Sequence, residues 1–409
     1  MEENMKVNVL EGNRDLTSTA NATVALQSAI DRCNQHGGGQ VIIPEGRYII
    51  DSLILKSNVD LHLESGAELI GSGDEERYQH RPGPFELIKN ETPISGLIYA
   101  DGQENIAITG SGTIDGNYEK FILPNQQDEV HLKFYKYPRP MMVYFENCRN
   151  VLIQGVTLQN SPFWTVHLVG DLNTEISHLT INNEVRMPNT DGIDVDRSKN
   201  TYIHDCQIHT GDDAICPKCT EETSEYGDCE NLTVTNCHIV TQSSAVKFGS
   251  SSFGNFNNCI FRHLTVRDTN RGLAFQLRDP GSARNIIFED IDIATKHYSK
   301  EWWGSGEPIY ITILPRDTNT QLADAEISHV VFRNVKCCAE NGILLAGYRD
   351  GAIKDVCFDH VTLDLQRPLG QEVEYDLRPD DHNGKIKRPL KAINDLSHSQ
   401  YSVNDCDFD

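Results

Sequence analysis

Basic residues are scarce in this sequence of 409 residues. Lys and Arg together number 36 against 60 Asp and Glu, which gives a formal net charge of −24. Nucleic acids and anionic membranes both favour a basic protein surface, so we expect neither as a partner. An acidic sugar is compatible with this charge, provided that Lys or Arg side chains cluster where it binds.

Long apolar runs are missing too. The first residues, MEENMKVNVLEGNRD, are polar and lack the basic segment and apolar core of an export signal. No stretch approaches the length of a membrane-spanning helix. The twelve cysteines are then most simply reduced thiols, and we predict a cytoplasmic location. The alternative is a periplasmic or secreted protein whose export signal has been removed from this sequence. The lone pair Cys216-x-x-Cys219 has no second pair at metal-ligand spacing, so we predict neither a metal site nor a cofactor.

Helical periodicity is scarce beyond residue 40, and a short phrase recurs in its place. Each phrase has a polar residue, often Asn, followed by alternating β-forming residues. Examples are NVLIQGVTLQN at 150, NTYIHDCQIHT at 200, NLTVTNCHIVT at 231 and NIIFEDIDIAT at 285. From 150 onward, successive phrases start 23 to 44 residues apart. A unit of this size cannot bury its apolar side chains alone, so it must stack on copies of itself.

The repeat predicts an all-β fold, a single-stranded right-handed parallel β-helix with an N-terminal capping helix. We treat residues 1–409 as a single β-helix domain, with an N-terminal cap segment at 1–40 and a C-terminal closing segment at 370–409. Cys206 and Cys237 occupy the same offset in neighbouring phrases, so they should stack in the interior as small apolar residues.

The cap segment contains the stretch TSTANATVALQSAIDRCNQHGG, which predicts a helix ended by the glycines at 37–39. A solenoid needs such a cap to shield the apolar interior of its first turn. The apolar side of the helix is predicted to consist of Val24, Leu26, Ile30 and Cys33.

Three aspartates fall in register on the repeat. Asp191, in NTDGIDVD, precedes the phrase at 200, and Asp212 and Asp213, in TGDD, end it. Neighbouring turns stack about 4.8 Å apart, so the three carboxylates should converge on one face. Each motif alone is also typical of a turn. Together they suit an inverting glycosidase, in which one carboxylic acid protonates the leaving oxygen and a carboxylate activates water.

These motifs resemble a known family. NTDGID, followed by GDDAI and then FGS on a repeat of this kind, is similar to glycoside hydrolase family 28, the pectin-degrading polygalacturonases, exo-galacturonidases and rhamnogalacturonases. The resemblance implies that Asp212 is the general acid, and that Asp191 and Asp213 hold and deprotonate the attacking water. It also implies that Asn189 orients this centre, that Lys218 is a local counter-charge, and that no metal takes part.

Two places depart from the family's pattern. Ser244 stands where the family has a histidine, and Lys247 lies further along the same strand. Ala274 and Gln276 stand where the family has an Arg-x-Lys pair that binds a galacturonate carboxylate, with Arg278 on the same strand face as Gln276. We predict that the substrate contacts Ser244, Lys247, Gln276 and Arg278, with Arg316 or Arg349 as further contributors to a basic pocket.

Two insertions interrupt the repeat, KHYSKEWWGSGEPIYITILPRD at 296–317 and HLKFYKYPRP at 131–140. The first contains Trp302 and Trp303, which we predict to contact sugar rings. Insertions of this length would wall one end of a groove and favour cleavage at chain ends.

We therefore predict an inverting, exo-acting hydrolase of α-linked, galacturonic-acid-containing oligosaccharides. Two alternatives stay open. One is a polysaccharide lyase on the same scaffold, which would use calcium and a Lys or Arg base. The other is a carbohydrate-binding β-helix without catalytic activity. The sequence predicts no oligomeric state.

Overall fold

The computed structural model describes residues 5–9, 21–80, 95–134, 139–379 and 384–408. Within these ranges the chain forms a parallel β-helix, so the fold predicted from the repeat is confirmed. No helix of the described ranges is long and apolar enough to cross a membrane.

The described residues form 37 strands and one α-helix, α1 (Thr23–Gln35). The first strands are β1 (Met5–Asn8), β2 (Gly39–Ile43), β3 (Gly46–Ile50), β4 (Leu53–Ile54), β5 (Val59–Leu63), β6 (Ala67–Gly71), β7 (Gln79–His80), β8 (Ser95–Asp101), β9 (Glu104–Gly110) and β10 (Thr113–Asp115). They are followed by β11 (Met141–Glu146), β12 (Arg149–Gln154), β13 (Thr157–Gln159), β14 (Val166–Val169), β15 (Leu172–Ser177), β16 (Thr180–Asn182), β17 (Ile193–Asp196), β18 (Lys199–His204), β19 (Gln207–Thr210) and β20 (Ile215–Lys218). Next come β21 (Cys229–Thr235), β22 (His238–Thr241), β23 (Ser244–Ser250), β24 (Phe256–Arg262), β25 (Thr265–Thr269), β26 (Arg271–Leu277), β27 (Ala283–Thr295), β28 (Glu307–Ile313), β29 (Ile327–Ala339) and β30 (Ile343–Gly347). The last strands are β31 (Ile353–Asp359), β32 (Thr362–Leu365), β33 (Glu372–Asp376), β34 (Lys385–Pro389), β35 (Ile393–Asp395), β36 (Tyr401–Asn404) and β37 (Asp407–Phe408).

The strands stack into three parallel ladders. The first ladder contains β1, β2, β5, β9, β12, β15, β18, β21, β24, β27, β29, β31 and β36. The second contains β3, β6, β10, β13, β16, β19, β22, β25, β27, β29, β32 and β37, so the long strands β27 and β29 belong to both. The third contains β4, β8, β11, β14, β17, β20, β23, β26, β28, β30 and β35. The candidate site lies on the outer face of this third ladder.

The interior is filled by the alternating apolar side chains of the phrases. In β18, Ile203 is fully buried while the neighbouring Tyr202 is 41% exposed, as the period of two in a strand requires. Cys206 and Cys237 are both buried in the same core cluster, which agrees with their predicted stacking.

The asparagine that opens each phrase has a backbone role. Asn105, Asn150, Asn173 and Asn200 have φ values between 54° and 61°, a left-handed conformation that Asn adopts more readily than most residues. Their amides are linked along the solenoid, since Asn150 Nδ2 donates to Asn105 Oδ1 at 3.0 Å and Asn200 Nδ2 donates to Asn173 Oδ1 at 3.0 Å. We call this row the asparagine ladder, and it continues through Asn231, Asn258 and Asn285.

Replacing Asn200 by Ala is expected to lower the free energy of unfolding by about 1–2 kcal/mol, because Ala is strained at this positive φ. Replacing Asn200 by Gly removes the same hydrogen bonds without the strain, so its loss should be smaller. Thermal unfolding of the two variants measures the difference. Equal losses in both would show that the side-chain bonds, and not the backbone conformation, account for the effect.

Helix α1 covers the first turn of the solenoid. Residues 17–20 of its predicted stretch, and residues 1–4 and 10–20 of the predicted cap, lie outside the described residues. The prediction for Val24 was wrong, since this side chain is 79% exposed. The buried positions follow the i, i+3, i+4, i+7 spacing of one helix face, from which Val24 is excluded. They are Leu26, Ala29, Ile30 and Cys33.

The C-terminal part of the chain folds back before it completes the solenoid. Strands β33 and β34 pair as an antiparallel hairpin, called the C-terminal hairpin, which packs on the outer face of β26, β28 and β30. Strands β35, β36 and β37 then form a further turn of the three ladders. The predicted closing segment at 370–409 therefore contains both a hairpin and a regular turn. The division of the chain into one domain stays a prediction.

Candidate active site

The three predicted aspartates come together where two neighbouring turns enter the third ladder. Ile193 of β17 lies opposite Ile215 of β20, and the same offset of 22 residues brings Asp191 beside Asp213. The backbone N–H of Gly192 donates to the carbonyl oxygen of Asp213 at 2.9 Å, which holds the two loops in this register. The stacking expected from NTDGID and TGDD is thus observed.

A cavity of about 320 Å³ opens above these residues. Its lining includes Asp191, Asp212 and Asp213, together with Asn189. Two lysines and four aromatic side chains also face it: Lys218, Lys247, Phe134, Trp164, Trp302 and Trp303. Apolar walls around a few charged groups are typical of a small-molecule site.

Asp212 is held by backbone donors. The N–H of Asn189 donates to Asp212 Oδ2 at 3.1 Å, and the N–H of Asp213 donates to Asp212 Oδ1 at 3.0 Å. Burial and then the neighbouring charge of Asp213 raise the pKa of Asp212 above its ordinary value. A carboxyl group in such surroundings tends to keep its proton.

The pKa of Asp213 is shifted in the opposite direction. Its carboxylate accepts hydrogen bonds from Ser243 Oγ at 2.9 Å and from the N–H of Ser244 at 3.1 Å, and it forms an ion pair with Lys247. Burial acts to raise the pKa of Asp213, but the charges of Lys247 and Lys218 and these hydrogen bonds outweigh it, so the pKa is lowered. The pKa values of the two adjacent aspartates are therefore shifted in opposite directions.

Asp191 lies against a buried lysine. Lys218 Nζ is 3.2 Å from Asp191 Oδ2, 3.0 Å from Asp194 Oδ1 and 3.1 Å from Cys216 Sγ. It also lies 4.6 Å from the centre of the Trp164 ring, a cation–π contact. Burial and the charge of Asp194 raise the pKa of Asp191 well above its ordinary value, although Lys218 opposes them.

The residues around Lys218 include side chains of the types that bind metal ions. The ligand atoms of Asp191, Asp194 and Cys216 lie within 4.8 Å of one another. The ammonium of Lys218 contacts all three residues, so a cation already lies among these ligand atoms. This donor set therefore fits a structural ion-pair network better than a site for a bound metal.

The comparisons with known proteins agree with this geometry. A model of the glycosyl hydrolases family 28 matches residues 33–367 of the chain. The chain belongs to this family. The family predicted from NTDGID and GDDAI is thereby confirmed, and it is a family of glycosyl hydrolases.

Among the relatives of this family 28 protein, a probable polygalacturonase of Vitis vinifera is 34% identical over 304 residues, which cover 69% of this chain and 59% of the relative. An endo-polygalacturonase of Pectobacterium carotovorum subsp. carotovorum is 27% identical over 280 residues, 66% of this chain and 67% of the relative. The solved structure of an exopolygalacturonase from Thermotoga maritima has a TM-score of 0.77 at 24% identity and covers 100% of this chain and 93% of that chain. The chain thus spans less than two thirds of the length of the Vitis relative.

Asn189 and Ser244 were both predicted from the family 28 resemblance. Asn189 lines the cavity and donates its backbone N–H to Asp212, and its Oδ1 accepts a hydrogen bond from Arg139 at 2.7 Å. Ser244 is 1% exposed and contributes its backbone N–H to Asp213. It therefore supports the Asp213 carboxylate and does not line the cavity, which corrects the predicted substrate contact.

Gln276 and Arg278 are not brought to the cavity, which corrects the predicted carboxylate-binding pair. Both side chains are fully buried under the C-terminal hairpin and its flanking residues. Gln276 Nε2 donates to the carbonyl oxygen of Arg378. Arg278 donates to the carbonyl oxygens of Leu377 and Pro379, each at 3.0 Å. The segment that covers β26 and β28 lies about 100 positions further along the chain, and Gln276 and Arg278 hold it in place through these hydrogen bonds.

The two later arginines also have structural partners. Arg316 Nη2 lies 2.8 Å from Asp279 Oδ2, and Arg349 Nε donates to the hydroxyl of Tyr348 at 2.8 Å. Neither arginine lines the cavity.

The first insertion, predicted at 296–317 and containing the two tryptophans, is shorter than predicted, because residues 307–313 form the regular strand β28. Trp302 and Trp303 both line the cavity. Trp302 is 3% exposed, and its carbonyl oxygen accepts from Arg378 Nη2 at 3.1 Å. Trp303 is only half-buried, so it is the better candidate for contact with a sugar ring.

The second insertion, at 131–140, is described only in part. Residues 135–138 lie outside the described residues. His131 and Phe134 line the cavity, which agrees with a wall formed by this insertion. The ring centroids of His131 and Trp302 are 4.7 Å apart, so the two insertions meet at the cavity.

Several residues of the site were missed in the sequence, among them Trp164 and Ser243 of the cavity lining and the buried Asp194 and Arg139. Asp194 is fully buried, and the alternation of IDVD in β17 was a signal that could have placed it on the outer face near Lys218. Arg139 is 1% exposed and donates to Asn189 and to the carbonyl oxygens of Pro162 and Pro188. It lies outside the repeated phrases, so the repeat contains no signal for it.

Proposed function

We propose that the protein is an inverting, exo-acting hydrolase of α-linked, galacturonic-acid-containing oligosaccharides. The observation that supports this proposal is a pair of adjacent carboxyl groups whose pKa values are shifted in opposite directions. The pKa of Asp212 is raised by burial and by the charge of Asp213. The pKa of Asp213 is lowered because Lys247, Lys218 and hydrogen-bond donors outweigh its burial. Hydrolysis with inversion requires one acid and one base of this kind.

In the proposed mechanism, Asp212 gives its proton to the glycosidic oxygen as the bond from that oxygen to the anomeric carbon breaks. A water molecule held by Asp213 and Asp191 attacks the anomeric carbon from the opposite side, and Asp213 takes its proton. Because burial and Asp194 raise the pKa of Asp191, we assign to Asp191 the orientation of the water and not its deprotonation. One displacement at this carbon inverts its configuration.

The exo-acting mode is supported by the way the outer face of the third ladder is covered. The outer side chains of β26, β28 and β30 pack against the C-terminal hairpin in one apolar cluster. An open groove along that face would have to continue past β23 onto β26, where Gln276 and Arg278 are fully buried. This cover would stop a polymer from passing the aspartates in that direction and would favour the binding of a chain end.

Digestion of a pectic oligosaccharide series, followed by product sizing and NMR, tests the proposal. We expect short products from the first minutes, a slow fall in polymer size and a β-configured new reducing end, because an α-linkage is inverted. Rapid shortening of a long polymer would contradict exo-action. An α-configured first product would contradict inversion, and no turnover across the series would contradict the hydrolase itself.

The lyase alternative is less well supported. It requires a basic residue that can lose its proton, and Lys247 is the candidate on the correct strand. Burial acts to lower the pKa of Lys247, but the charge of Asp213 outweighs it, and the pKa is raised. A lysine that keeps its proton is a poor base. Accumulation of an unsaturated product, seen by ultraviolet absorption, would favour the lyase.

The cytoplasmic location is a separate proposal. The twelve cysteines are all free thiols, and most of them are buried, which fits a reducing compartment. Fractionation of cells that express the protein at natural level tests it, and recovery from the culture medium or periplasm would contradict it.

A further inference from the structure

Lys247 is a buried cation aimed at a single carboxylate. It lies in β23, where its residue is 7% exposed, and its Nζ forms an ion pair with Asp213 Oδ2. Its Nζ is also 5.9 Å from the centre of the Trp303 ring. A charged lysine loses its hydration at such a site, so it is stable there only because it faces an opposite charge.

Asp212 and Asp213 are neighbours in sequence and line the same cavity, yet the proposed reaction needs a proton on one and a charge on the other. Their partners differ in kind. Asp212 accepts from the two backbone N–H groups of Asn189 and Asp213. Asp213 accepts from the ammonium of Lys247 and from Ser243 and Ser244. Only the second set includes a full positive charge in direct contact.

We infer that Lys247 is a positioning residue that assigns the two roles: its ammonium keeps Asp213 ionised as the base and leaves the exchangeable proton on Asp212. The inference rests on the proposed hydrolase function, which it deepens. Lys247 acts through Asp213 and needs no contact with the substrate. This replaces the role in substrate binding that the sequence predicted for it.

Besides Asp212, other charged and titratable groups surround Asp213. They are Asp191, Asp194, Cys216 and Lys218 on the two neighbouring turns, Arg271 on β26, and His131 and Glu301 across the cavity. Lys218 contacts Asp191 and Asp194, and Arg271 contacts Glu307. Burial lowers the pKa of His131, which disfavours a positive charge on this side chain.

Loss of the Lys247 charge should therefore move the pKa of Asp213 upward. An opposite charge at contact distance lowers a carboxyl pKa by about 1–3, and its removal reverses that effect. The base works only when it is ionised, so the acidic limb of the pH profile of kcat/KM should move to higher pH by the same amount. At a fixed pH below that limb, kcat/KM should fall about tenfold for every pH unit by which the limb moves.

The variant Lys247→Met keeps most of the side-chain volume without the charge, and Lys247→Arg keeps the charge. Lys296→Met is the matched control, because Lys296 forms an exposed ion pair with Asp268 at 2.9 Å. We expect the acidic limb to move to higher pH in Lys247→Met, to move less in Lys247→Arg and to stay in place in Lys296→Met. An unchanged pH profile in Lys247→Met would overturn the inference.

Chemical rescue separates charge from packing. In Lys247→Ala, added propylammonium should restore part of kcat/KM and return the limb toward lower pH, whereas propanol at equal concentration should not. Equal rescue by both compounds would show that Lys247 only fills space, and would overturn the inference.

A measurement without substrate separates this inference from the proposed function. Carbon-13 NMR of labelled aspartate carboxyls, with Asp213→Asn used to assign the signal, follows Asp213 in the free protein. A higher titration midpoint in Lys247→Met supports the inference even if no pectic oligosaccharide is cleaved. An unchanged midpoint overturns it even if the protein is an active hydrolase.

Discussion

Replacing Asp212 by Asn is expected to lower kcat by about 10²–10⁴-fold, the usual contribution of a general acid. Asn has nearly the same shape, and its amide oxygen can still accept from the N–H of Asn189, but its NH₂ group is too weak an acid to protonate the leaving oxygen. The fold should be retained, because the backbone carbonyl of Asp212 keeps its bond from the hydroxyl of Thr210 at 2.6 Å. Steady-state kinetics on a pectic oligosaccharide and thermal unfolding measure the two effects.

A substrate with an acidic leaving group sharpens this test. An aryl galacturonide whose phenol leaves without protonation should be cleaved by Asp212→Asn with a much smaller loss than the oligosaccharide. Asp213→Asn lacks the base, so it should lose activity on both substrates alike. Asp268→Asn, at an exposed site, is the control for a change of charge alone. Near-normal activity of Asp212→Asn on the oligosaccharide would remove Asp212 from the mechanism.

Replacing Arg271 by Met should lower the free energy of unfolding by about 3–5 kcal/mol, because it leaves a buried carboxylate without its charge partner. Arg271 is 1% exposed and Glu307 is fully buried, with Arg271 Nε 3.5 Å from Glu307 Oε2. The guanidinium also lies 3.6 Å from the centre of the Tyr310 ring and donates to the carbonyl oxygen of Asp376 at 3.1 Å. The substitution therefore also loosens the C-terminal hairpin.

The double variant Arg271→Met/Glu307→Met is the matched control. Replacing both members of a buried ion pair by apolar residues is often nearly neutral, so most of the loss should be recovered. Denaturant unfolding of the single and double variants measures this recovery. If the double variant is as unstable as Arg271→Met, the loss comes from the contacts with Tyr310 and Asp376 and not from an unpaired Glu307.

The acid centre could be predicted from the sequence because it depends on short-range rules. Side chains alternate along a strand, and equal offsets in neighbouring turns lie side by side. These two rules were enough to bring Asp191 beside Asp213 and to place Cys206 and Cys237 in the interior. The same rules, applied to IDVD, would also have found Asp194.

The surroundings of the acids could not be predicted in this way, because they depend on segments far apart in the chain. Gln276 and Arg278 were expected in the cavity since their strand faces outward there. Their outward face is buried instead by the segment that contains Leu377 and Pro379, about 100 positions later. Nothing in the repeat indicates where that segment folds back. Arg139, in a stretch without repeat, was missed for the same reason.

The asparagine ladder has a consequence for how this protein tolerates change. Consecutive members are as few as 23 and as many as 45 positions apart in the chain, and yet their amides meet at 3.2 Å and 3.0 Å. The length of a turn is therefore free to vary on the side away from the ladder while the alignment of the turns is kept. We therefore expect that loops around the cavity can be lengthened between two ladder asparagines without rebuilding the frame of stacked strands.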